Sequence, residues 1–82
     1  MGRIIMSNEE ERVDINIQQD MDASQRSWLG AKLEHERGIV SAWFEGGDHH
    51  HLILHYDVNH CSHITLLDTI KRLGFHGEIV GS

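Results

Sequence analysis

Val13, Ile15 and Ile17 alternate with Asp14, Asn16 and Gln18, a period of two with one apolar face, which predicts a half-buried strand. The pattern then changes. Asp20-Met21-Asp22-Ala23-Ser24 reads as a loop in which Asp22 or Ser24 caps a helix. Trp28, Leu29, Leu33 and Glu36 continue at helical spacing until Gly38 ends the run. Ile39–Glu45 predicts a second strand, with Ala42 and Phe44 on one face and Trp43 on the other. Gly46-Gly47-Asp48 predicts a hairpin turn, because glycine adopts positive φ at little cost. In the third strand, His51–Asp57, Leu52, Leu54 and Tyr56 point one way and His51, Ile53 and His55 the other. Ser62 caps a second helix whose Leu66, Leu67, Ile70 and Leu73 form an apolar stripe. Gly74 stops that helix, and Phe75–Val80 predicts a last strand.

This order, βαββαβ, predicts an α+β, ferredoxin-like sandwich. Right-handed crossovers give a four-stranded antiparallel sheet in the order 4-1-3-2, with both helices on one face. The other face is open and carries Trp43 and Ile53, with Val80 beside them, a candidate contact surface for a protein partner or a second copy of the chain.

Leu54-x-Tyr56-Asp57, followed by Ser62, Leu66, Leu67, Ile70, Gly74 and Phe75, resembles the second half of the heavy-metal-associated (HMA) domain. Leu29, Leu33, Gly38 and Ile39 match that module's first helix and its exit more loosely. The resemblance implies an HMA-like domain over 12–82, preceded by a flexible, acidic segment over 1–11. It also implies metal chemistry in a Met-x-Cys-x-x-Cys loop, from which this chain departs. Asp22 and Gln25 stand where the two cysteines belong, or Ala23 and Arg26 if Met21 is aligned instead. Soft ions such as Cu(I) and Hg(II) favour thiolates, so two-cysteine transport is not expected here.

The chain is rich in another donor. Eight histidines accompany a net charge of −6, and protonating all of them would carry the charge to +2. Following the strands up and down brings the loop Asp20–Ser24, the hairpin Gly46–His50 and the turn Leu73–His76 to one end. The resemblance puts the metal at that end. His49, His51 and His76, with Asp22 as the oxygen donor, are the candidate ligands, and imidazole with carboxylate suits Zn(II) or another divalent transition metal. The opposite end gathers a second, weaker candidate cluster of His35, His60, Cys61 and His63, with Glu36 nearby. Cys61 there is open to a lowered pKa from the helix start and neighbouring imidazoles.

Charge and composition narrow the function further. An acidic domain with Asp14, Asn16 and Gln18 on its first strand is not expected to bind nucleic acid or anionic membranes. A single cysteine fits a reducing compartment, and with no apolar run long enough for a bilayer and no signal-peptide pattern the expected location is the cytoplasm. No nucleophile-base order or phosphate loop is visible, so an enzyme is not expected. The sequence therefore points to a small HMA-like domain that binds, carries or senses a divalent metal through His and Asp. The alternative is a metal-free interaction or oligomerisation module using the open sheet face.

Overall fold

A computed structural model describes residues 9–80 of the chain. In chain order the elements are β1 (Glu10–Ile17), α1 (Ala23–Glu34), β2 (Ile39–Phe44), β3 (His51–Asp57), α2 (His63–Arg72) and β4 (Gly77–Ile79). The four strands form one sheet in the order β2-β3-β1-β4, the antiparallel ferredoxin-like arrangement expected from the alternation. Among the described residues no helix is long and apolar enough to cross a membrane.

The expected faces are the observed ones. Val13 faces Leu54 and Ile15 faces Leu52 across the β1–β3 ladder, all four buried against the helices. Leu29 and Leu33 of α1 and Leu66 and Ile70 of α2 are fully buried over them. Each such side chain contributes roughly 1.5–3 kcal/mol when withdrawn from water, so these two layers hold the domain together.

Both helix starts are fixed by side chains. Asp22 Oδ1 accepts the Gln25 backbone N–H at 2.8 Å, and the Asp22 N–H donates to Gln25 Oε1 at 3.0 Å, a reciprocal capping box. Ser62 Oγ accepts the Thr65 N–H at 3.3 Å, as the position of that serine predicts. After α1 the chain turns at Gly38, whose φ of +92° suits glycine; a Cβ there would lie 3.0 Å from the Cys61 Cβ.

Two element ends differ from expectation. Residues 1–8 of the segment expected to be flexible lie outside the described residues, but Glu10 and Glu11 belong to β1, paired with Asp57 and Tyr56. The full length of β3 supplies their backbone partners, and the Tyr56 hydroxyl donates to Glu11 Oε1 at 3.2 Å. β4 is three residues long rather than six: the Phe75 N–H still bonds back to the Ile70 carbonyl, and His76 and Val80 at the two ends each hold β1 by a single backbone bond, to Gln18 and Asp14.

Candidate functional site

The three expected loops do meet at one end, and the contact is made by backbone. The Ile17 N–H donates to the His50 carbonyl at 2.8 Å. One residue on, the Gln18 N–H donates to the His76 carbonyl at 2.9 Å, and the His76 N–H returns to Gln19 Oε1 at 2.9 Å. The exit of β1 is thus held between the β2–β3 hairpin and the α2–β4 turn. The hairpin is itself tight: the Glu45 N–H donates to the His51 carbonyl at 2.9 Å, and Asp48 Oδ1 accepts the His50 N–H at 2.9 Å.

His50 is the imidazole best fixed at this end. Its Nδ1 lies 2.7 Å from the Ile17 carbonyl oxygen, and its Nε2 lies 3.2 Å from Asp20 Oδ1. His49 and His76 are exposed on the hairpin and the turn. Beside Asp20 an open groove of about 730 Å³ runs past Asp22, Trp28 and Phe75, the two rings lying 6.5 Å apart.

The expected ligand set is not gathered at one point. Asp22 is engaged by the capping box with Gln25, so the two positions aligned with the missing cysteines satisfy each other's backbone instead. His51 lies on the open sheet face, where Nε2 donates to Asp14 Oδ2 at 2.7 Å. The alternation that places it there starts only at His51; His49 and His50 lie in the turn, so the two-residue spacing of His49 and His51 does not put them on one side. Among the described residues no group of three or more His, Cys, Asp or Glu side chains is arranged to hold a metal ion.

The opposite end follows the same rule of pairs. His60 Nδ1 lies 3.0 Å from Asp57 Oδ2. The Asn59 backbone N–H, and after it His60, hold the Asp57 carboxyl below its ordinary range. His63 stacks edge-on against Tyr56, with ring centroids 5.7 Å apart, and His35 caps the end of α1. Cys61 does meet the tail of α1 at Gly38, but its pKa moves opposite to expectation. Burial raises it, a hydrogen bond from the Ser62 backbone only partly offsets this, and Glu36 adds to the rise. The half-buried position against apolar neighbours, rather than the helix start, decides the sign.

On the open face an ionic group covers the sheet. Arg12 grips Asp14 through two bonds, Nε to Oδ1 at 2.8 Å and a terminal nitrogen to Oδ2 at 3.0 Å, while His51 takes the remaining approach. The hydrogen bond from Arg12, then that from His51, lowers the Asp14 pKa to about 2 against the penalty of burial. Ile53, expected as an exposed contact residue, faces this side but is only 5% exposed. It sits mid-sheet between Asp14 on β1 and Trp43 on β2, which cover it. Trp43 remains 43% exposed and leans on the His55 ring, 5.4 Å away between centroids. Val80 is also exposed, its N–H bonded to the Asp14 carbonyl at 2.9 Å.

Sequence reasoning placed Asp20 and His50 at the shared end and Asp14 on the open face, but passed over Arg12, its pairing with Asp14, and the pairing of His50 with Asp20. Arg12 and Asp14 were accessible as an i, i+2 opposite-charge pair on one strand face. The His50–Asp20 pair had no sequence signal beyond its place at the shared end.

Known structures carry the same fold. A copper-binding domain from HMA7, a P-type ATPase, superposes with a TM-score of 0.76 at 17% identity, covering 85% of this chain and 93% of that one. A copper form of a CopA variant from Bacillus subtilis gives 0.77 at 18% identity, covering 94% and 100%. Oxidized MerP from Ralstonia metallidurans gives 0.77 at 8% identity, covering 88% and 99%. No protein-family model matches the chain, and no curated protein matches it. At these identities the likeness is one of fold, the ferredoxin-like fold, and it runs the length of the neighbours.

Proposed function

We propose that this chain is a metal-handling domain that takes a divalent ion through imidazole and carboxylate donors at the loop end, not Cu(I) or Hg(II) through thiolates. The observation that carries this reading is the backbone clamp on Ile17–Gln18, which draws the histidine-bearing hairpin and the His76 turn against the loop that begins with Asp20. Two structural neighbours support it, one a copper-binding domain of a P-type ATPase and the other a copper form of CopA, and the absence of a cysteine pair directs the choice of ion. Zn(II), Co(II), Ni(II) and Cu(II) fit nitrogen and oxygen donors. The chain binds rather than catalyses in this reading, and its one free cysteine suits a reducing compartment such as the cytoplasm.

A Zn(II) titration followed by amide NMR tests it. Saturable one-to-one shifts confined to Ile17–Asp20, Gly46–His50 and His76 are expected, with no tight uptake of Cu(I) from a two-cysteine carrier. Weak, unsaturable shifts spread over all the histidines would refute it.

A second reading is favoured by one observation. Trp43 stays 43% exposed on the open face at the β2 edge of the sheet, where a flat aromatic suits a protein partner or a second copy of the chain. Concentration-dependent broadening of Trp43 and His55, with no saturable metal response, would put that reading first.

A further inference from the structure

Three imidazoles of this domain face a carboxylate, and they differ in which nitrogen is free to carry the proton. His51 meets Asp14 through Nε2, and His60 meets Asp57 through Nδ1. In each case the facing nitrogen can be the protonated one in a neutral ring, so an ordinary N–H···O bond closes the pair. His50 is different. Its Nδ1 faces the Ile17 carbonyl oxygen at 2.7 Å, and a carbonyl only accepts, so Nδ1 carries the proton. In the neutral ring Nε2 then presents its lone pair to Asp20 Oδ1, 3.2 Å away. Two acceptors face each other in the neutral ring, and a cation shared between them, a proton on Nε2 or a metal ion in its place, turns the contact favourable.

We propose that His50 Nε2 and the Asp20 carboxylate are the two protein donors of an open, exchangeable site for a divalent transition-metal ion. This rests on the metal-handling reading and names the donors it uses. The bond from Nδ1–H to a backbone carbonyl is the support that metal-binding imidazoles receive, fixing both the tautomer and the ring orientation. The Ile17 N–H bond to the His50 carbonyl fixes the residue from its other side, so the imidazole is set before an ion arrives. The carboxylate end is the mobile half: the Asp20 side chain is fully exposed, free to open from 3.2 Å and admit an ion at the usual nitrogen and oxygen distances of about 2.0–2.2 Å.

Two donors leave at least two positions of a tetrahedral ion to water or to a partner's ligands. Such a site loads and unloads readily and is completed by whatever accepts the ion, unlike a structural site closed by four protein ligands. Asp22 and His51 are not part of it, because the helix cap and Asp14 already hold them.

The test uses the whole chain with Zn(II) alone, read by isothermal titration and by long-range imidazole proton–nitrogen spectra. In the free protein His50 is expected as the Nδ1–H tautomer, and Zn(II) is expected to move its Nε2 resonance more than that of any other histidine. Asp20→Asn and His50→Gln are each expected to weaken binding at least tenfold, while His49→Gln and His51→Gln change it less than threefold. Asp20→Asn alters an exposed side chain of nearly identical shape, so a folding defect does not mimic the result. Retained Zn(II) affinity in both Asp20→Asn and His50→Gln would overturn the assignment and leave metal handling standing. Loss only with His49→Gln would do the same and give the site to the histidine run. A wild-type chain that takes no Zn(II) overturns both the assignment and the metal-handling reading.

Discussion

Replacing Asp14 by Asn removes the charge at the centre of the open-face group while keeping its shape. In the folded chain the Asp14 carboxyl sits at about 2 rather than its ordinary 3.8, first because Arg12 hydrogen-bonds it and next because His51 does. That difference corresponds to a gross gain of about 2.5 kcal/mol for the ionised folded state. Arg12 is 55% exposed, so solvent screens its share, and about 1 kcal/mol is the expected net effect. The sign follows from linkage. A carboxyl whose folded pKa is depressed stabilises the protein above its unfolded value and loses that contribution as pH falls through the folded one. The stabilisation is therefore complete above about pH 5 and mostly gone by pH 2. Urea unfolding at pH 7 should find Asp14→Asn less stable by about 1 kcal/mol, or about 5 °C in midpoint by heat. The gap between the two proteins should close on acidification and narrow in high salt. An equal gap at pH 7 and at pH 2 would refute the electrostatic account and leave only altered packing over Ile53.

Three further changes probe the frame around the site. Gly77→Ala places a methyl 2.7 Å from Ile15 Cγ2, so overpacking by about 1–3 kcal/mol is expected in thermal unfolding, and a neutral substitution would mean β4 lies further from β1 than described. Ser62→Ala removes the α2 cap and should cost about 1 kcal/mol in urea unfolding; no loss would mean another group satisfies the Thr65 N–H. Cys61 has a raised pKa, so at pH 8 iodoacetamide should alkylate it several-fold more slowly in the native chain than in urea, and faster native alkylation would point to a thiolate stabilised by the start of α2.

The fold was readable because its signals agree with one another. Alternation in Val13–Ile17 and in Leu52–Tyr56 assigns the same sheet face from two distant segments. The Ser62 cap and the turns at Gly38 and Gly46-Gly47 mark the ends between. What escaped were ends without such a signal. Glu10 and Glu11 show no alternation, and their strand pairing follows from the reach of β3 rather than from their own side chains. Val40 sits at the register shift between Ile39 and Ser41, an irregularity the composition of β2 does not announce.

The site was readable only as far as topology reaches. Chain direction alone brings Asp20, the hairpin and His76 to one end, and backbone bonds to Ile17 and Gln18 realise it. The choice of ligands within that end depends on what else each side chain has to satisfy. Asp22 looks like an oxygen donor until the Gln25 N–H is counted, because a helix start leaves N–H groups that a carboxylate satisfies first. His51 looks like a hairpin ligand until Asp14 is set across from it on the sheet. His50 has no advantage in the sequence over the histidines on either side. It gains one only when the Ile17 carbonyl claims Nδ1 and leaves Nε2 turned toward a carboxylate. In a chain with eight histidines, the donor open to an ion is the one whose other nitrogen the backbone has already taken.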